Sequence, residues 1–330
     1  MSDRLPRWVI NRGVLTPQIH GVKAVLRARG LHSVCEEARC PNIGECFARG
    51  TATFMILGDV CTRSCGFCAV KTGRPTGLDW EDPERVARAV QALGLRHVVI
   101  TSVNRDERED GGAPIFAETI RAIRRLSPGS TVEILTPDFK GSRAALESIF
   151  DRGGPDIYNH NVETVPRLYR QVRPQAVYER SLGVLAMAKS LGRGIPVKSG
   201  LMVGLGETRQ EVAGVMRDLR AAGCDILTIG QYLRPTRHHL PVAEYVPPEV
   251  FRDYEAFGRQ LGFPYVFAGP LVRSSYNAEE AMRHAREQSA VGGAHGATAT
   301  DGGSGRLGAG GRVADRLREV GPRAAAERVF

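Results

Sequence analysis

Between about residue 50 and residue 270, short apolar runs alternate with stretches whose apolar positions recur every three or four residues. The runs at 53–58, 97–103, 131–139, 156–162, 196–204 and 226–233 read as buried strands. The stretches at 83–93, 114–126, 142–150, 177–191 and 207–222 read as helices. Pro83 and Pro114 suit a first helical turn, Ser142 an N-cap, and Gly223 a left-handed residue just past a helix end. Strand–helix alternation at this spacing predicts parallel β/α units. Six units predict an α/β chain folded as a partial (β/α)6 TIM-like barrel. A doubly wound sheet is the competing architecture that periodicity leaves open.

Polar residues gather where these strands end. Thr101 to Asp106 follows the second strand, Thr136 to Asp138 the third, Asn159 to Glu163 the fourth, and Gln231 to Pro235 the sixth. Barrel enzymes place their chemistry on that rim. Any one of these residues is more simply a helix cap or a solvated loop, but the repetition over several strands points to a site. Outside the barrel, residues 1–50 predict an N-terminal extension, and 51–284 the barrel with a C-terminal segment over its open rim. Residues 285–330, rich in Gly and Ala, predict a flexible tail.

Charge changes the picture little. The formal net charge is +9. Seven arginines and five acidic residues in 285–330 give the tail only +2, so the excess is spread over the body. Such a surface suits an acidic protein partner. Aromatic residues are 6% of the chain and are not interleaved with a basic stripe, which argues against nucleic acid. No apolar run is long enough to span a bilayer, and residues 1–10, broken by Pro6, lack an export signal. The expectation is a cytoplasmic monomer with no membrane partner.

Six of the seven cysteines form two triplets. Cys35, Cys40 and Cys46 read C-x4-C-x5-C; Cys61, Cys65 and Cys68 read C-x3-C-x2-C. Disulfides fit neither the expected compartment nor a chain of this size. Structural zinc wants four ligands in paired spacing, and only Cys65 and Cys68 have it. Three thiolates from one loop can grip three irons of a cubane and leave the fourth open. Cys224, in Ala-Ala-Gly-Cys-Asp, reads as a small buried hydrophobe.

The octapeptide Cys61-Thr62-Arg63-Ser64-Cys65-Gly66-Phe67-Cys68 resembles the signature of the radical S-adenosylmethionine (SAM) superfamily. The resemblance implies a [4Fe-4S] cluster on Cys61, Cys65 and Cys68 that reductively cleaves SAM. The resulting 5′-deoxyadenosyl radical abstracts hydrogen from an unactivated carbon. Thr101, Asn104, Asn161, Glu163 and Lys198 are the candidates, from strand-end position, for holding the rest of SAM.

The first triplet with its Cys40-Pro41-Asn42-Ile43-Gly44-Glu45-Cys46 segment resembles the lipoyl synthases. So do Gly204-Leu205-Gly206-Glu207-Thr208, Gln231 to Pro241, and Arg273-Ser274-Ser275-Tyr276. That resemblance implies a second, auxiliary [4Fe-4S] cluster held by Cys35, Cys40, Cys46 and Ser275 and consumed as the sulfur source. Two sulfurs would enter at C6 and C8 of an octanoyl-lysine on a lipoyl-carrier domain. The implied carriers are the E2 component of 2-oxoacid dehydrogenases and the H protein of glycine cleavage. A ferredoxin- or flavodoxin-type reductant and an iron–sulfur carrier are implied as further partners. Asn277 stands where the family often has His. The alternatives are a biotin-synthase-like or methylthio-transferring radical enzyme, or a non-enzymatic iron–sulfur carrier.

Overall fold

The structure is a computed structural model that describes residues 5–10, 17–37, 42, 43, 46, 52–192 and 194–275. All the described residues belong to one compact unit within Met1–Arg286. Cys40 and the 285–330 tail therefore lie outside the described residues.

All six expected strands form, as β2 (Thr53–Ile56), β5 (His97–Ser102), β6 (Thr131–Leu135), β7 (Ile157–Asn159), β8 (Val197–Val203) and β9 (Ile226–Gln231). A seventh parallel strand, β10 (Tyr265–Gly269), and a short antiparallel β1 (His32–Ser33) complete the sheet. The order is β1-β2-β5-β6-β7-β8-β9-β10. From β2 onward it follows the chain with no reversal. A doubly wound sheet needs a reversal at its switch point, so the architecture is the singly wound, partial-barrel type. Two residue pairs, β3 (Val60–Cys61) and β4 (Lys71–Thr72), lie in parallel outside this sheet and bracket the second cysteine triplet.

The helices between the strands are α3 (Asp82–Leu93), α4 (Ala113–Leu126), α5 (Arg143–Phe150), α7 (Tyr178–Leu191), α8 (Arg209–Ala221) and α9 (Pro248–Gln260). They follow α1 (Pro17–Ala28) and α2 (Val34–Glu37), and a single turn, α6 (Tyr169–Val172), precedes α7. Local signals set their ends. Ser142 accepts from the Ala145 amide at 3.2 Å. Thr208 and Glu211 form a reciprocal capping box at the start of α8. Gly223 follows α8 with φ +87°. Thr208→Ala is expected to cost about 1 kcal/mol, read as a lowered midpoint in urea denaturation. The strands are buried on both faces, as parallel strands covered by helices are.

Backbone strain collects at the rim. Leu57, Phe139, Lys140 and Glu163 all have positive φ, and all lie just beyond the C-terminal ends of β2, β6 and β7. Such conformations cluster at functional sites. No helix among the described residues is long and apolar enough to cross a membrane.

Candidate functional site: two cysteine triplets and a serine loop at the barrel rim

Cys61 ends β3 and opens a loop that returns through Cys65 and Cys68 to β4. Its Sγ accepts two backbone hydrogen bonds, from Arg63 at 3.4 Å and Asn104 at 3.3 Å. Burial pushes the Cys68 thiol up to about 12; the nearby Cys65 and Cys61 sulfurs add to that, against a bond to the Val70 backbone. Burial likewise raises Cys65, while Arg173 opposes it. A metal bound here would have to displace those protons.

Among the described residues no three His, Cys, Asp or Glu side chains close on one point as ligands of a single ion. The fit to an iron–sulfur cluster rests instead on donor chemistry: soft, half-buried sulfurs, with N–H groups aimed at one of them.

The loop is held from above. The Gly66 amide donates to Val172 O at 2.9 Å, and its carbonyl accepts from Leu240 N at 3.0 Å. A Cβ at Gly66 would stand 2.8 Å from Leu240 Cγ, so the segment around Leu240 presses directly on the loop. His239 sits with Nε2 3.0 Å from Cys68 O and Nδ1 2.8 Å from Thr236 Oγ1. That makes it a brace for the loop, while His238 is exposed. Phe67 is partly buried against the core.

Four of the five candidates for holding SAM stand at the rim. Thr101 gives its hydroxyl to Leu135 O at 2.9 Å. Asn104 approaches Cys61 through its amide, and its side-chain Oδ1 is buried without a partner. Asn161 donates to Glu163 at 3.0 Å and to Ser274 Oγ at 2.6 Å, and its Oδ1 is likewise unsatisfied. Burial pushes the Glu163 carboxyl up, against Arg173 and Asn161.

Lys198 is the correction. It lies near the start of β8, at the far end of the strand from the rim, and is fully buried. Its Nζ is committed to Glu133, at 3.0 and 3.1 Å. Its partner on β6 is 65 positions away in the chain, so no local pattern shows the pairing.

Sequence reasoning missed Arg173. It is buried, gives Nη1 to the carbonyls of Asn161 (3.0 Å) and Val162 (3.1 Å), and stacks its guanidinium 5.4 Å from the Tyr169 ring centroid. No motif marks it; it follows a one-turn helix that hydrophobic periodicity does not reveal.

The first triplet is described in part. Cys35 is buried in α2 and Cys46 is half-buried. Between Cys40 and Cys46, Asn42 donates to Leu271 O at 2.5 Å. Leu271 opens the segment that runs through Ser274 and Ser275 after β10. Tyr276 and Asn277 lie outside the described residues. This segment crosses so close over β9 that any Cβ at Gly230 would run into the Val272 carbonyl. The Asn42–Leu271 and Ser274–Asn161 bonds therefore tie the first triplet, the serine loop and the rim together. Gly230→Ala is expected to lift the serine loop at a cost of about 1–3 kcal/mol. Iron analysis after anaerobic loading should then find about four irons lost, those of one cubane.

Residues 55–219 match the Radical SAM superfamily model. The chain is 61% identical to a lipoyl synthase of Rubrobacter xylanophilus, covering 85% of this chain and 87% of that one. It is 55% identical to a lipoyl synthase of Caldanaerobacter subterraneus, covering 87% and 100%. Among solved structures, SuiB of Streptococcus suis bound to S-adenosylmethionine shares the fold, with TM-score 0.52, 12% identity and coverage of 69% and 53%. On the identity of these relatives and the length they share with it, this chain belongs to the lipoyl synthase family, within the radical SAM superfamily.

Proposed function

We propose that the chain divides lipoyl synthesis between two iron–sulfur sites. As a lipoyl synthase it inserts two sulfur atoms, at C6 and C8, into an octanoyl group carried on a protein, using SAM and iron–sulfur chemistry. Bound SAM, cleaved reductively at its cluster, supplies the radical that removes hydrogen from an unactivated carbon. Cys61, Cys65 and Cys68 would hold that cluster through three sulfurs. Asn104 and Asn161 offer unpaired acceptors to the rest of SAM, and Thr101 fixes the strand end beside them. Glu163 and Arg173 offer opposite charges, as a zwitterionic amino-acid end requires. Phe67 and the segment around Leu240 exclude water from the loop, which protects a reactive intermediate.

Cys35, Cys40, Cys46 and Ser275 hold the second cluster, the sulfur source. A serine oxygen would be a harder ligand to iron than thiolate, so Ser275 would supply the more labile of the four contacts. The observation that carries this arrangement is the Asn42–Leu271 contact, which brings the first triplet's segment to the serine loop. On this basis residues 1–50 are an extension carrying the auxiliary ligands, 51–284 are the barrel with its closing segment, and 285–330 are a tail without chemistry. The carriers are the E2 and H-protein lipoyl domains. A ferredoxin or flavodoxin supplies electrons, an iron–sulfur carrier rebuilds the spent cluster, and the enzyme is a cytoplasmic monomer. The deciding experiment incubates the reduced, iron-loaded protein with SAM and an octanoyl-lysine peptide. Product mass should rise by two sulfurs, because each C–H becomes C–SH in the reduced product; a peptide of unchanged mass, with SAM consumed, would refute the assignment.

A further inference from the structure

Two of the residues between Cys61 and Cys65, Thr62 and Arg63, have no part in the chemistry above, yet they make the densest polar contacts in the loop. Arg63 is 4% exposed. A buried guanidinium is tolerated only when fully paired. Here it is gripped twice. Nε and Nη2 bond Asp106 at 2.6 and 2.8 Å, while Nη1 and Nη2 bond Asp138 at 3.1 and 2.6 Å. Asp106 follows β5 and Asp138 follows β6, so one side chain fastens the cysteine loop to two neighbouring strand ends.

Thr62 adds to the fastening. Its amide and hydroxyl donate to Asn104 O, each at 3.1 Å, and its hydroxyl accepts from Asp106 N at 3.1 Å. The main chain of Arg63 is fixed with its side chain. Its amide points at Cys61 Sγ, and its carbonyl accepts from Thr72 Oγ1 at 3.3 Å.

We propose that Arg63, clamped by Asp106 and Asp138, is a positioning residue that holds the Cys61–Cys68 loop in its cluster-binding shape before iron arrives. As these thiols give up their protons to bind iron, three like-charged sulfurs on one short loop would repel and splay it. The clamp withstands this because each carboxylate meets a planar fork in two-point contact. Lysine cannot reproduce two forks at once, so charge alone does not suffice. The inference rests on the assignment of this loop to the radical cluster.

The test measures alkylation of individual cysteines in the iron-free full-length chain, by mass spectrometry, for Arg63→Lys and the milder Asp106→Asn. Cys224, fully buried in the connection between α8 and β9, is the internal reference. In either variant Cys61, Cys65 and Cys68 should react about tenfold faster, the shift allowed by losing one charge-assisted pair, with Cys224 unchanged. After loading in a Cys35→Ala background, the EPR signal of the reduced radical cluster should change shape. Loop cysteines that keep their wild-type rates would overturn the proposal. So would acceleration of Cys224 along with them in Asp106→Asn, which would make the clamp a general element of the fold. A wild-type chain that takes up no iron would refute the cluster assignment instead, while the alkylation rates would still decide the clamp.

Discussion

Replacing Cys68 by alanine is expected to abolish release of 5′-deoxyadenosine from SAM, whereas Cys35→Ala should leave that release in place and stop sulfur insertion. The first loss should exceed the roughly 10–100-fold typical of disturbing an outer-shell partner, because a ligand is gone rather than its orientation. Cys68 is half-buried in the same loop as Cys61 and Cys65, and two cysteines cannot close a three-point site. Cys35 lies on α2, outside the loop between β3 and β4, and its loss leaves that loop's own bonds to Asn104, Val172 and Leu240 intact. Both products are read in one assay: deoxyadenosine by chromatography and peptide mass for added sulfur. Equal loss of deoxyadenosine in the two variants would contradict the division of labour.

Lys198→Met is expected to destabilise the fold by about 3–5 kcal/mol, the cost of leaving a buried charge without its partner. Glu133 is fully buried; burial alone would push its carboxyl up, but Lys198, with His97 and Asn159, holds it below the usual range. In the wild type the pair's contribution is therefore present above the unfolded carboxyl pKa, about 4.3, and fades as pH falls below it. In the variant Glu133 has lost its cation and takes up a proton more readily. The gap between variant and wild type should then shrink as pH drops from 8 towards 5. Denaturation midpoints at the two pH values measure this. A gap that widens towards acid would show that Lys198 does not govern the carboxyl. Replacing Glu133 by leucine in the same variant should recover much of the loss, since a buried pair is often no better than apolar groups of like volume.

Much of this was legible before folding was considered. The alternation of apolar runs set six strands in place, because a parallel strand covered on both faces must be apolar throughout. Caps at Ser142 and Gly223 formed where their chemistry demands, since capping is local. The seventh unit, α9 and β10, escaped notice: Tyr265–Gly269 is short and only partly buried, so its pattern is weak.

The chain's amino-acid order by itself determined the units of the barrel and the two cysteine triplets. Ligand type and spacing within one loop are local properties, and so is hydrophobic period. Tertiary structure alone decided which distant residues share a site. It took Lys198 away from the rim to meet Glu133, and it brought Arg173 in. It set Asn42 against Leu271 across 229 positions and bound Arg63 to two aspartates from separate strand ends. These pairings follow from strand register and loop closure, and no local pattern encodes them. They exist because a buried charge or amide must find a partner wherever the fold provides one.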